Sequence, residues 1–189
     1  MNEPIAAKIL GQTDRELWLV TAAAGPSRGG LIATFVCHAS LVESLPRMLI
    51  ALAKHHHTCH LIEASGAFGL HLIGPKHLDL VWRFGLESGH HIDKLSGLGV
   101  DTGATGAPLL SDVLARLDCQ VEARFDMGDR TLYLSEVVDA RQISDAAPLT
   151  MKQLLQIAPR ERLEELSRLR QRDSAVDAEA ILAWRQATS

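Results

Sequence analysis

Residues 119–125 read Cys119-Gln120-Val121-Glu122-Ala123-Arg124-Phe125, apolar at every odd position and polar at every even one. Successive side chains of an extended chain point to opposite faces, so this period of two marks a strand with one dry and one wet face. Gly128-Asp129 then turns the chain, and Leu132 and Leu134 open a return strand running toward Val138, which makes 118–143 a hairpin. Upstream, Leu17–Ala24 is an apolar run stopped by Gly25-Pro26-Ser27-Arg28-Gly29-Gly30, a turn or loop signal. Leu31–Val36, Pro46–Ala53 and Ala67–Ile73 read as further strands, being short, apolar and rich in strand formers.

Short helices separate these strands. Thr58 is expected to cap one that runs through Ala64 and stops at Gly66, and Pro75 to start another with Leu78, Val81 and Trp82 on one side, ending at Gly85. The glycine-rich stretch from Glu87 to Pro108 has no sustained period and is expected to be a long loop, a candidate lid, with His90 and His91 as possible contacts. After Pro148 the pattern becomes helical. Met151–Ile157, a helix starting at Pro159 with Leu163, Leu166 and Leu169 at three-residue spacing, and a last helix over Ala178–Gln186 are predicted. Hairpin-like returns without a repeated βαβ unit favour a mainly β fold with helices, an antiparallel barrel rather than a parallel sheet. The division is 1–145 for the barrel and 146–189 for a C-terminal helical extension.

The 189 residues, 47% hydrophobic and 22% charged, fit one globular domain. A net charge of -4 with scattered cations gives no footprint for nucleic acid. Cys37, Cys59 and Cys119 form no CxxC pair and are read as thiols of a reducing compartment. No apolar run reaches membrane-spanning length and the first twenty residues lack a signal-peptide pattern, so cytoplasm and no membrane partner are expected. Nine histidines against eight aromatic residues stand out.

The densest chemistry lies in Lys54-His55-His56-His57-Thr58-Cys59-His60. One reading is an anion site, in which N–H groups at a helix start join Lys54, Thr58 and a histidine around a phosphate. A second is a metal site, but ligands so close in sequence need a further group from elsewhere in the chain to close around one ion, and no metal is expected. A third is a solvated polar loop. Elsewhere, His71 alternates within an apolar strand and reads as a satisfied core or interface histidine, His77 as an exposed helix residue, and Cys37 either as a small buried hydrophobe or as part of a site.

Across about residues 15–143, several strings in order resemble the flavin reductase family, including its flavoredoxin-like members. They are Leu17–Thr21, Gly30-Leu31-Ile32-Ala33-Thr34-Phe35 with Ser40, Pro46 followed by a strand and Lys54–Thr58, and Ser65-Gly66-Ala67-Phe68. Phe84-Gly85 with Ser88-Gly89, then Asp93-Lys94-Leu95, Leu117-Asp118-Cys119 and Gly128-Asp129, complete the series. The resemblance implies a split β-barrel that binds FMN at a homodimer interface and takes electrons from NADH or NADPH. It implies that Ile32, Ala33 and Thr34, with Cys37, His38 and Ser40, line the ring and ribityl chain. Lys54, His56, His57 and Thr58 are implied at the phosphate, with His55 and His56 standing where serine is usual, so that the role of an imidazole there would depend on pH. After Gly-Asp, nicotinamide-using members often carry histidine, and here the residue is Arg130, the candidate catalytic group. Arginine there could pair with a nucleotide phosphate or the flavin N1 edge, or be a surface residue of the hairpin. An electron carrier without its own nicotinamide site is the alternative.

Overall fold

A computed structural model describes residues 3–87 and 92–188. His90 and His91, the expected lid contacts, and Ser88-Gly89 lie outside the described residues. After helix α1 (Glu3–Leu10), strands β1 (Trp18–Ala24), β2 (Ser27–Ala33), β3 (Val36–His38) and β4 (Arg47–Ala53) lead to α2 (His57–Ser65). Then come β5 (Ala67–Leu72), a single 3-10 turn at Pro75–His77, α3 (Leu78–Gly85), β6 (Val100–Thr102), β7 (Pro108–Leu110), β8 (Ala115–Asp126) and β9 (Arg130–Gln142). Helices α4 (Met151–Ile157) and α5 (Arg160–Thr188) follow.

Seven strands form one antiparallel sheet in the order β2-β1-β5-β8-β9-β4-β3, and β6 and β7 form a separate pair. The two edge strands, β2 and β3, are joined by Thr34 and Phe35 alone. Three Cα steps reach at most about 11 Å, whereas seven strands laid flat would put their edges about 29 Å apart. The sheet must therefore curl until its edges meet, which gives the antiparallel split barrel expected from the sequence. Phe35 continues the pairing across the link by accepting a hydrogen bond from Ala51 N at 3.0 Å.

Both faces of β1 are buried, which is why Leu17–Ala24 reads as an unbroken apolar run. Val20 and Ala22 face a core shared with Ile50, Phe68, Leu70, Tyr133 and the α2 residues Cys59, Leu61 and Ile62. Leu17 and Leu19 face a second core with Ile73, α3 residues Leu80, Val81 and Phe84, and Leu149 and Leu154 of the C-terminal part. A Cβ on Gly30 would stand 2.7 Å from Val20 O and 2.9 Å from the Phe84 ring, so only glycine lets α3 pack this closely on β2.

Four sequence expectations change. The dry face of β8 ends early: Cys119 is fully buried, but Ala123 and Phe125 are exposed, because the register slips between Val121 and Ala123 and the strand runs on past the core. The stretch predicted as a loop over Glu87–Pro108 instead contains β6 and the start of β7, and its described part is pinned. Asp93 pairs with Arg28 at 2.7 Å, Arg83 donates to Ser96 O, and Thr21 donates to Pro108 O. The two predicted helices after Pro159 are one helix of 29 residues, since no proline or glycine interrupts 160–188. His77 is buried rather than exposed, its Nδ1 accepting from Gly74 N at 2.9 Å. Sequence signals also missed α1.

His71 is the satisfied core histidine expected. Its Nδ1–H donates to Leu19 O and its Nε2 accepts from Leu110 N, both at 3.0 Å, so one neutral tautomer ties β1 to β7 across β5. Burial lowers its pKa to about 4, below the 6.5 of a free histidine. The unfolded chain thus binds a proton that the folded chain refuses between those values. Stability due to His71 is complete above pH 6.5 and falls as pH drops toward 4, by up to about 1.4 kcal/mol per pH unit. Urea titrations across that window should show this slope shrink in His71→Gln, and an unchanged slope would contradict it.

Candidate functional site

One end of the barrel gathers most of the singled-out residues. Ala53, at the end of β4, pairs with Arg130 at the start of β9, and Lys54 N donates to Asp129 O at 3.0 Å. The chain then turns into α2, whose first turn packs on β2: a Cβ on Gly29 would lie 3.2 Å from the His57 ring and 3.8 Å from Thr58 Oγ1. The Thr34-Phe35 link crosses the same end, with the Arg130 guanidinium 5.1 Å from the Phe35 ring centre and that of Arg15 at 5.2 Å. Lys94 closes the floor, its buried ammonium donating to Gly30 O at 3.2 Å and Phe84 O at 3.0 Å. Desolvation lowers its pKa to about 8.

Thr58 is not the cap of α2. His56 takes the N-cap with extended backbone and makes no side-chain cap hydrogen bond, while Thr58 sits inside the first turn and is buried. An N-terminus without a side-chain cap keeps its partial positive charge directed outward. Lys54 is half-buried beside it and pairs with Asp126 at 2.5 Å. His56 is pushed down to about 4, first by burial and then by His55, with Arg130 adding to the effect. It is therefore neutral from pH 5 to 8, and the pH dependence expected of its imidazole does not fall in that range.

The remaining expected residues begin beside the link and run away from this end along β3. Ile32 and Thr34 are half-buried and Ala33 is buried at the end of β2. Cys37 and His38 lie farther along the edge strand β3, opposite Leu49 and Met48, and both are exposed, so Cys37 is no buried hydrophobe. Ser40 lies beyond β3, its Oγ accepting from Val42 N at 3.0 Å in a local turn. A cavity of about 470 Å³ opens nearby between α2 and the β8–β9 hairpin, lined by Cys59, His60, Glu63, Arg124, Asp126 and Thr131, and shares only Lys54 with these residues.

Arg130 is not a loose surface residue. Its guanidinium meets Asp129 at 3.0 Å and Asp177 of α5 at 2.7 Å, and only 24% of its side chain is exposed. Burial raises the pKa of Asp177, while Arg130 opposes that rise. Helix α5 thus folds back over this end, and the hairpin turn accommodates it: Gly128 has φ 90°, and a Cβ there would lie 2.8 Å from Trp184. The sequence held no local signal for this contact, because Asp173 and Asp177 fall between the two helices predicted there.

The barrel, its order of elements and the Lys54–Thr58 turn can now be set beside known proteins. Residues 10–154 match the family model described as the flavin reductase like domain. The chain belongs to the flavin reductase family. The ferric-chelate reductase (NAD(P)H) of Archaeoglobus fulgidus is 30% identical over 136 residues, covering 71% of this chain and 79% of that protein. The FMN reductase (NADH) RutF of Pseudomonas syringae pv. syringae is 29% identical over 131 residues, 69% of this chain and 72% of the relative. A flavin reductase domain protein from Arthrobacter sp. FB24 shares the fold with a TM-score of 0.70 at 20% identity, over 80% of this chain and 91% of that one. This chain is a flavoprotein oxidoreductase of that family, as its sequence strings implied. Among the described residues, no helix is long and apolar enough to cross a membrane.

The pairing of Arg130 with α5 makes a direct prediction. In Arg130→Ala, amide exchange across residues 173–184 should accelerate about tenfold or more as the helix loses its charged anchor. Unchanged exchange in that segment would contradict the assignment.

Proposed function

We propose that this protein is an NAD(P)H-dependent flavin reductase that binds FMN at the barrel end described above. The observation that supports this most directly is the α2 N-terminus without a side-chain cap, flanked by Lys54 and His57 and packed on the glycines of β2. Those groups suit a phosphate: Lys54 supplies a cation, His57 a donor, and the first turn of α2, with Thr58, backbone N–H groups. Ile32, Ala33 and Thr34 lie next to the β2–β3 link, where a planar ring can lie against backbone and small side chains. Cys37, His38 and Ser40 extend that edge. Bound there, FMN supplies the redox chemistry of its isoalloxazine ring, which accepts a hydride from NADH or NADPH.

The contribution of the chain is positioning and electrostatics. Arg130, stacked against Phe35 and held by Asp129 and Asp177, places a fixed positive charge beside the link, where it would favour an anionic ring edge. Because its charge is already partnered by two carboxylates, a flavin carrier without nicotinamide turnover is the second reading. A homodimer belongs to the proposal: Leu41, Val42 and Leu45 are exposed together just beyond β3, an apolar patch that a second copy would cover. The three free cysteines suit the reducing cytoplasm.

Purified protein should bind FMN at micromolar concentration, and NADH or NADPH should bleach the flavin absorbance anaerobically. Bleaching by neither nucleotide selects the carrier reading, and failure to bind FMN overturns the proposal. Lys54→Ala should weaken FMN about tenfold while leaving riboflavin, which has no phosphate, unaffected.

A further inference from the structure

The three consecutive histidines need more than a phosphate to account for them, and the fold brings them the partner that their sequence lacks. His55 and His56 leave the barrel at the β4–α2 turn with their rings edge to face, 4.4 Å apart. Asp173 reaches them from the middle of α5, more than a hundred residues away in sequence. One ligand atom from each of His55, His56 and Asp173 lies within 4.8 Å of the other two. We propose that these three residues bind a divalent transition-metal ion of the zinc class, with coordination positions left for water or another ligand.

The spacing favours an ion over direct pairing. His55 Nε2 is 3.9 Å from Asp173 Oδ1, beyond hydrogen-bond length. Two ligand atoms on one tetrahedral zinc ion, each at about 2.0–2.2 Å, stand about 3.3–3.6 Å apart, so this pair must close by only about 0.5 Å and the widest by little more than about 1 Å. Two imidazoles and one carboxylate are a donor set for such ions, not for calcium or magnesium, which prefer all-oxygen shells.

A second observation points to the same place. Asp177, one turn along α5, directs Oδ1 at the other ring nitrogen of His55, 4.0 Å away. That oxygen is buried without a hydrogen-bond partner among the described residues, an arrangement that needs a reason. A carboxylate behind a metal-bound histidine supplies one: after closing by about 1 Å it would accept a hydrogen bond from Nδ1–H, which fixes the tautomer and leaves Nε2 for the ion. Arg172 now occupies Asp173 Oδ1 at 2.9 Å, but its side chain is 69% exposed and can swing into solvent. The bound ion would pin α5 to the turn that begins α2.

The test uses the untagged, flavin-free full chain, so it reads separately from any flavin result. Titration with ZnCl2 should show one ion per chain, and CoCl2 should give the visible absorption of a low-coordinate site. Asp173→Asn and His55→Ala should weaken zinc binding by well over about tenfold, and Asp177→Asn by about tenfold. Far-UV circular dichroism checks that each variant folds. In the unaltered protein, zinc should slow amide exchange across residues 173–184, and in Asp173→Asn it should not. Absence of stoichiometric binding overturns the proposal. So does binding that survives Asp173→Asn but falls with His60→Ala, which would mark loose coordination by the histidine run alone.

Discussion

The link Thr34-Phe35 is the constraint on which the rest of the molecule depends. Two residues join the opposite edges of a seven-stranded sheet, so the sheet has no choice but to close on itself. Closure brings the end of β2, the start of β3, the end of β4 and the start of β9 to one place. The proposed binding end of the protein is therefore a consequence of chain connectivity, with side chains refining what the backbone has already gathered.

Three later segments fix that end. Lys94 holds β2 and α3 together through two backbone carbonyls, and this explains why a lysine can be buried in a stretch that otherwise reads as loop. His71 spans three strands with a single neutral ring. Helix α5, none of whose residues is fully buried, adds acids rather than hydrophobic packing to the site. Its charged contacts with Arg130 and His55 join a segment outside the barrel to the turn where a phosphate is proposed.

The barrel was legible because its signals are local: the alternation of β8, the Gly128 turn and the apolar runs of β1 and β4 each report their own neighbourhood. The Lys54–Thr58 turn was legible for the same reason, although α2 begins two residues before the hydroxyl of Thr58 suggests, because His56 and not Thr58 has the extended backbone of an N-cap. Phe125 misled because a bulge shifts register without leaving a mark in hydrophobic pattern. What the sequence did not disclose is long-range. Asp173 and Asp177 fall between two predicted helices and acquire partners only because α5 is continuous and folds back, and Lys94 looks like a loop cation although it satisfies two backbone carbonyls. Its family match places Lys94 in order but says nothing of its burial.

The central claim is that flavin phosphate binds at the barrel end where α2 begins. Backbone amide chemical shifts followed during FMN titration test it most directly. The account predicts the largest changes in residues 29–38 and 54–59, with smaller ones near 130. Changes confined to the cavity lined by His60, Glu63, Arg124 and Thr131, with residues 29–38 silent, would contradict it.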